Sequence, residues 1–180
     1  MTSAVVMNEQ SSTTAGFSAR EFRTALSYFP TSIVLVGAVV DREPRGLVMG
    51  TFTSLSLDPP LVSVSVQKTS TTWPALARAH RLGVSVLTDT HVSVLPQLSG
   101  DQDRRFHELD WRARRGALVL PDAPVQLVTE IDRIVDVGDH HLVILRVDSI
   151  NSAGAAEVPA DSRPLVFYGS AASPHGGIVS

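Results

Sequence analysis

The chain has 180 residues, 43% of them hydrophobic and 18% charged, which is typical of one soluble globular domain and excludes a disordered protein. It has no cysteine, which excludes disulfide scaffolds, thiolate-bound metal clusters and a cysteine nucleophile and agrees with a reducing compartment. The net charge of −3 provides no basic surplus for binding nucleic acid. Because the sequence shows neither a secretory signal pattern nor a membrane-spanning apolar run, we expect a cytoplasmic protein without membrane contact.

The amino-terminal part predicts a polar tail followed by a helix. Residues 1–16 are mostly small or polar and are expected to be disordered. Ser18 and Glu21 have the spacing of a capping box, and apolar residues follow at helical spacing until Pro30 ends the helix. The helical apolar positions are Phe22, Ala25, Leu26 and Phe29.

The next part of the chain predicts strands and one short helix. An apolar, largely β-branched run at 33–40 and a strand at 46–53 are expected to form a hairpin across turn-forming residues. Residues 61–66 predict a strand with valines on one face and leucine and serines on the other. Thr72 is expected to cap a short helix that runs from Trp73 to about His80.

The second half predicts mainly strands. Residues 89–111 are a mixed region in which we expect short helices broken at Pro96 and Gly100. A small-residue loop is expected at 151–163 and a flexible tail at 170–180. Strands are predicted at 82–87, 125–131, 134–137, 141–150 and 165–168. Many short β-rich runs without regular βαβ alternation favour an antiparallel barrel.

Residue spacing excludes several common sites. No two of the 12 glycines are separated by a single residue, so the chain has no dinucleotide-binding Gly-x-Gly-x-x-Gly motif and no Walker loop. The six histidines include no pair four residues apart, and we expect no metal site. There is no Gly-x-Ser-x-Gly nucleophile elbow.

Hydroxyl side chains are dense around the predicted strand at 61–66. They are Thr51, Thr53, Ser54, Ser56, Ser63, Ser65, Thr69, Ser70, Thr71 and Thr72. With Lys68 and the start of the next helix, these donors form a pattern that can bind a phosphate or a polyol. The alternative interpretation is that serine and threonine simply suit exposed strand faces and helix caps.

Several motifs occur along residues 17–169 in a fixed order. They are Phe29-Pro30-Thr31, the run from Gly46 to Leu61, Lys68 to Thr72, Arg105-Phe106, Trp111, Gly138-Asp139-His140 and Pro164-Leu165. Together they resemble the flavin reductase-like family, the small reductase components of two-component flavin-dependent monooxygenases. The resemblance implies one domain at 17–169 with a mainly β fold, an FMN-binding split β-barrel, that forms a homodimer. It also implies that NADH or NADPH reduces FAD or FMN, and that reduced flavin passes to a partner monooxygenase.

The resemblance assigns roles to individual residues. Gly50, Thr51 and Ser54 are expected along the isoalloxazine ring and the ribityl chain of the flavin. His140, oriented by Asp139, is expected near the nicotinamide, although a histidine at a strand end is equally often only a structural partner of its carboxylate. The loop expected on the phosphate side consists of Gln67, Lys68, Ser70, Thr71 and Thr72.

The sequence also departs from the family pattern. Val48, Gly50 and Thr51 stand where many members carry a hydroxyl and an amide, so we expect loosely held flavin. Arg105 and Phe106 are interpreted as a salt-bridging and a core residue outside the site. No arginine cluster is present to receive a 2′-phosphate, which favours NADH over NADPH. Two alternatives remain: a non-catalytic flavin-binding carrier or sensor, and a split-barrel oxidase of a pyridoxal-type substrate.

Overall fold

The computed structural model describes residues 16–152, 162–169 and 171–174. The α-helices are α1 (Ala19–Leu26), α2 (Trp73–Leu76) and α3 (Leu95–Leu98), and Asp89–His91 form a short 3₁₀ helix. The strands are β1 (Thr31–Ser32), β2 (Val34–Val40), β3 (Glu43–Met49), β4 (Thr53–Leu57), β5 (Pro60–Gln67), β6 (Leu82–Val86), β7 (Arg112–Arg114), β8 (Ala117–Val119), β9 (Val125–Val137), β10 (His140–Ser152), β11 (Leu165–Tyr168) and β12 (Ala171–Pro174). None of these helices is long and apolar enough to cross a lipid bilayer.

The strands form one large antiparallel sheet and one small one. The large sheet has the order β4-β5-β10-β9-β6-β2-β8-β7, with β3 also paired to β2, and the small sheet has the order β1-β11-β12. Thr51, just after β3, bridges to β5 at the other end of the sheet: its hydroxyl donates to the Ser65 carbonyl at 3.0 Å and accepts from the Ser65 amide at 2.9 Å. The predicted mainly β fold is confirmed, and the sheet curls into a split barrel.

Strand β2 is buried on both faces, which explains its continuous apolar sequence. Val34 and Val36 pack inside the barrel, where α2 contributes Trp73 and Leu76. Leu35 faces the opposite way, into a second apolar cluster that includes residues from the segment after β6. One strand therefore supports both the barrel core and the outer layer that covers it.

Two tight turns shape the hairpins nearest the candidate site. Asp41 and Arg42 join β2 to β3 with φ values of 53° and 69°, as in a type I′ turn. Gly138 and Asp139 join β9 to β10, and Gly138 has a φ of 56° at the first central position, where glycine is strongly favoured. This second turn delivers Asp139 and His140 to the end of the sheet.

The structure corrects the prediction of two strands between 125 and 137. Residues 125–137 form the single strand β9, and the polar pair Asp132-Arg133 does not interrupt it. The register with β10 shifts at this point, so the sheet accommodates Asp132 as a bulge. Asp132 pairs there with Arg146 at 3.0 Å and with Arg133 at 3.3 Å.

Two helix predictions are also corrected. Helix α2 ends at Leu76 and does not reach His80, and the Thr72 side chain makes no capping hydrogen bond to it. Pro96 lies inside α3 and does not break it, because proline is tolerated in the first turn of a helix. Gly100 follows the end of α3 as predicted.

The carboxy-terminal predictions need correction as well. Asn151 and Ser152 belong to β10 and not to the predicted loop. Residues 171–174, predicted as part of a flexible tail, form β12 and pair with β11. The rest of the predicted loop and tails, apart from the described residues 16, 162 and 163, lies outside the described residues.

The amino-terminal helix is predicted correctly at its start, including its cap, but it ends at Leu26, so Phe29 lies beyond it and Pro30 does not end it. The Ser18 hydroxyl accepts from the Glu21 amide at 3.2 Å, and the Glu21 carboxylate accepts from the Ser18 amide at 2.7 Å. The Ser18 amide and, at 2.8 Å, the Ser18 hydroxyl both donate to the Glu21 carboxylate, and these two hydrogen bonds lower the pKa of Glu21. The helix nevertheless buries none of its residues in this chain, and Phe22 and Leu26 remain about half exposed.

Candidate functional site

Two adjoining cavities lie where β3 ends, and Val48, Gly50 and Thr51 line both. The first, which we call the polar cavity, has a volume of about 250 Å³. Its lining is Leu47, Val48, Met49, Gly50, Thr51, Ser65, Val66, Gln67, Ser70 and His140. The second, which we call the apolar cavity, has a volume of about 420 Å³. Its lining is Thr31, Ile33, Val48, Gly50, Thr51, Leu95, Ser99, Phe167 and Ala172.

The polar cavity brings together five of the residues predicted for the site. Gly50 and Thr51 follow β3, Gln67 and Ser70 lie at and after the end of β5, and His140 begins β10. The antiparallel register of β5 and β10 sets His140 directly opposite Gln67. Residues up to 90 positions apart in sequence therefore share one wall because of strand pairing.

Gly50 and Thr51 form the boundary between the two cavities. A Cβ atom at Gly50 would lie 3.3 Å from the Thr31 Oγ1 and 3.9 Å from the Phe167 Cβ. Any side chain at position 50 would thus enter the apolar cavity, and glycine keeps that space open. The Thr51 hydroxyl is committed to the Ser65 backbone in two hydrogen bonds, so its main effect is to hold this boundary in place.

The loop after β5 presents donors next to the polar cavity. The Lys68 Nζ lies 3.7 Å from the Asp136 Oδ2, a partly exposed ion pair that leaves other ammonium protons available. The Ser70 hydroxyl accepts from the Trp73 amide at 3.2 Å and keeps its own proton for donation. Thr71 is exposed beside it. Three side chains of this loop can therefore face an anion.

Five residues predicted for the site line neither cavity: Ser54, Lys68, Thr71, Thr72 and Asp139. Thr72 is only 3% exposed, and its hydroxyl bonds to the Gln102 side chain at 2.9 Å and to Arg105. Ser54 is exposed on β4, opposite Val62, and lines neither cavity. The Ser54 hydroxyl fits the alternative interpretation of the sequence, in which serine and threonine suit exposed strand faces and helix caps. The Thr72 hydroxyl instead makes buried side-chain contacts and no cap.

His140 and His141 each have their own carboxylate. The His140 Nδ1 lies 2.7 Å from the Asp139 Oδ1, and the His141 Nδ1 lies 2.7 Å from the Asp136 Oδ1. These hydrogen bonds are the main reason that the pKa of each aspartate is lowered, and Lys68 lowers that of Asp136 further. Each carboxylate accepts the Nδ1 proton, which leaves the Nε2 of His140 without a hydrogen-bond partner among the described residues.

This arrangement suits a flat ligand that carries a phosphate. The apolar cavity offers aliphatic and aromatic surface for a ring, and the loop after β5 offers ammonium, amide and hydroxyl donors. Within the described ranges no three His, Cys, Asp or Glu side chains are grouped to hold a metal ion. The site can therefore position and orient ligands, but it presents little acid–base chemistry of its own.

The sequence did not predict much of the apolar cavity. Thr31 belongs to a motif that carried the family resemblance, yet no role was assigned to it. Leu95, Ser99, Phe167 and Ala172 come from three distant segments, and single apolar or small residues carry no signal for such a site. Only the pairing of β1 with β11 and the packing of α3 bring them beside Gly50.

Comparisons with known proteins give a consistent result. Residues 26–174 match the flavin reductase like domain family. The chain is 33% identical over 151 residues to the reductase subunit HsaB of a flavin-dependent monooxygenase from Mycobacterium tuberculosis, covering 83% of this chain and 78% of that protein. It is 32% identical over 165 residues to the FMN reductase (NADH) SmoA from Agrobacterium fabrum, covering 91% and 90% of the two chains.

A solved structure with bound fragments has the same fold. The NADH:FAD oxidoreductase SgcE6 from Streptomyces globisporus, in complex with NAD and FAD fragments, superposes with a TM-score of 0.78 at 26% identity. The similarity covers 89% of this chain and 94% of that one. The sequence match over most of the chain and the shared fold establish that this protein belongs to the flavin reductase-like family.

Proposed function

We propose that the chain is an NAD(P)H:flavin oxidoreductase that reduces FAD or FMN and releases the reduced flavin to a partner monooxygenase. The observation that carries this proposal is the polar cavity, where Gly50 and Thr51, the loop after β5 and His140 meet beside an apolar cavity. Membership of the family supports it, as do relatives described as flavin reductases and as a monooxygenase reductase subunit.

The described residues fit a flavin. Lys68, Ser70 and Thr71 would bind its phosphate, while the backbone at Gly50 and Thr51 would lie along its ring and the apolar cavity would accept an apolar edge. A bound flavin and nicotinamide supply hydride transfer from nicotinamide C4 to flavin N5. The contribution of the protein is to align the two rings and exclude water.

The hydrogen bond from His140 to Asp139 suits a residue that orients a ligand. Because Asp139 accepts the Nδ1 proton, a neutral His140 presents the Nε2 lone pair as an acceptor. That acceptor suits the N–H group of a nicotinamide carboxamide. In this proposal His140 contacts the nicotinamide, and Asp139 acts through His140 as a positioning residue.

The charge around the cavities favours NADH. Neither lining includes an arginine, and the nearby cation Lys68 already pairs with Asp136. A 2′-phosphate would therefore have no bidentate partner at these linings. Relatives described as acting with NADH support the same choice.

We also propose that the protein works as a cytoplasmic homodimer. Several large apolar side chains are exposed on the described surface, among them Leu57 at 95%, Tyr28 at 65% and Phe29 at 66%. Isolated apolar residues are common on protein surfaces, but Tyr28 and Phe29 closely follow an amino-terminal helix that buries none of its residues within this chain. A second copy is the occupant that fits an open barrel of this size.

Steady-state NADH consumption with added flavin tests the proposed function. The purified chain should consume NADH with FMN or FAD in excess, and NADPH should give a lower kcat/KM. Binding of flavin without NADH consumption would instead support the carrier or sensor alternative. Consumption that needs no added flavin would also contradict the proposal that flavin is a released substrate.

A further inference from the structure

We propose that Arg105 is a positioning residue for the candidate flavin site, because its guanidinium is hydrogen-bonded to three segments that lead to the two cavities. The inference deepens the proposed function and rests on it for the identity of the ligand. Arg105 lines neither cavity itself, so it acts through the segments that it holds.

The bonding of Arg105 is unusual for a surface-type residue. The residue is only 7% exposed. Its Nη1 donates to the carbonyl of Gly46 and, at 3.4 Å, to the hydroxyl of Thr72, and its Nη2 donates to the carbonyl of Gly100 at 2.7 Å. Its partners thus come from β3, from the end of the loop after β5 and from the turn after α3.

In each of these segments, a residue that lines one or both cavities lies within a few positions of the partner of Arg105. Gly46 leads along β3 to Val48 and Gly50, which line both cavities. Thr72 ends the loop that contains Ser70. Gly100 follows Ser99, which lines the apolar cavity. Arg105 therefore holds β3, the loop after β5 and the turn after α3 in fixed positions relative to one another.

The neighbouring residue holds β3 at the same point. A Cβ atom at Gly46 would lie 2.7 Å from the Phe106 Cζ, so the ring of Phe106 packs directly against the backbone of this strand. Phe106 is buried in the outer apolar cluster, as predicted. Arg105 and Phe106 thus anchor one strand through a hydrogen bond and a packing contact.

Stability alone does not account for a charged residue here. No Asp or Glu of the described residues lies within salt-bridge distance of Arg105, which corrects the prediction of a salt-bridging role, and its buried Nε has no partner among them. Burial lowers the pKa of Arg105, and the charge of Asp101 opposes that shift less strongly. An apolar residue would avoid this desolvation cost, but it could not bond three segments at once.

Arg105→Lys tests the proposal, because lysine keeps the charge and loses the planar fork. We expect the KM for FMN to rise about tenfold while kcat stays within about twofold, as for a lost positioning contact. Amide hydrogen exchange should become faster at 46–51, 68–73 and 98–102 and stay unchanged in β9 and β10. Arg105→Met should give larger changes in the same directions.

Arg104→Lys is the matched control, since Arg104 is adjacent and exposed, and it should leave both readouts unchanged. A fall in melting temperature with an unchanged KM, or faster exchange spread evenly over the chain, would overturn the positioning role. Should the wild-type chain reduce no flavin, the proposed function fails. The exchange pattern still decides whether Arg105 holds the three segments.

Discussion

The two adjacent histidines at the start of β10 offer the sharpest contrast between single residues. Both have a carboxylate 2.7 Å away, but only His140 lines the polar cavity. We expect His140→Ala to lower kcat/KM for NADH by about ten- to a hundredfold, the effect of a lost orienting hydrogen bond, while flavin affinity hardly changes.

His141→Ala is the matched control for that substitution. It removes the same side chain and the same type of histidine–aspartate hydrogen bond on the opposite face of the strand. The nicotinamide role is refuted if the two variants have equal kinetic effects. It is refuted as well if His140→Ala lowers only the melting temperature.

The loop after β5 makes a separate prediction about the phosphate. Replacing both Lys68 and Ser70 by Ala should weaken FMN binding by about 2 kcal/mol, or ~30-fold in KM, because one charged and one neutral donor are lost. Riboflavin, which lacks the phosphate, should show almost no such loss with the same variant. An equal loss for FMN and riboflavin would place these side chains away from the phosphate.

For single residues, the sequence indicates where hydroxyl side chains are concentrated but not which of those hydroxyls are free to bind a ligand. The hydroxyl cluster predicts a phosphate-binding loop, but the Thr51 and Thr72 hydroxyls form internal hydrogen bonds. Whether a hydroxyl is free depends on which distant backbone lies opposite it. The sheet sets Ser65 against Thr51, and the fold of the segment after α3 sets Gln102 against Thr72.

Among the structural elements, a pair of glycines explains how β8 packs across the sheet. Gly37 of β2 and Gly83 of β6 lie opposite each other, and Leu118 of β8 packs over them. A Cβ atom at Gly83 would lie 2.0 Å from the Leu118 carbonyl oxygen, so β8 would have to move.

Gly83→Ala should therefore lower the free energy of unfolding by about 3 kcal/mol, the upper end of typical overpacking costs. Urea denaturation measures this change. Gly16→Ala is the control, because nothing lies within 4 Å of a Cβ atom there, and it should have no effect. Equal stability of the two variants would show that β8 yields without cost.

Element boundaries show where local pattern is sufficient and where it is not. The hairpin at β2 and β3 and the strand β5 follow directly from turn residues and alternation, and the structure confirms them, although β3 runs over Glu43–Met49 and not over the predicted 46–53. Strand β9 was predicted as two because Asp132-Arg133 interrupts the apolar pattern, and β12 was missed because its small residues carry no strand pattern. In both cases pairing with a neighbouring strand overrides weak local preference.

For the whole molecule, the exposed apolar surface predicts a dimer. Light scattering at micromolar concentration should give twice the chain mass of 19.3 kDa, because a second copy would cover apolar side chains such as Leu57 and Ile150. Leu57→Lys together with Ile150→Lys should shift the protein toward the monomer. A wild-type mass of one chain would contradict the proposed assembly.

The general architecture was more predictable than the site because it depends on many weak signals at once. Numerous strand patterns and a series of ordered motifs together specified an antiparallel barrel, although single boundaries were wrong. The cleft depends on a few contacts between distant segments. Arg105 with Gly46, Thr72 and Gly100 is one such set, and no local pattern reveals it.

Anaerobic reduction of excess free flavin by NADH tests the central claim most directly. The chain should bleach the visible absorbance of many equivalents of FMN or FAD per protomer, because the cleft aligns the two rings and then releases the reduced product. Bleaching of no flavin, or of no more than one equivalent per protomer, would contradict a reductase that supplies free reduced flavin.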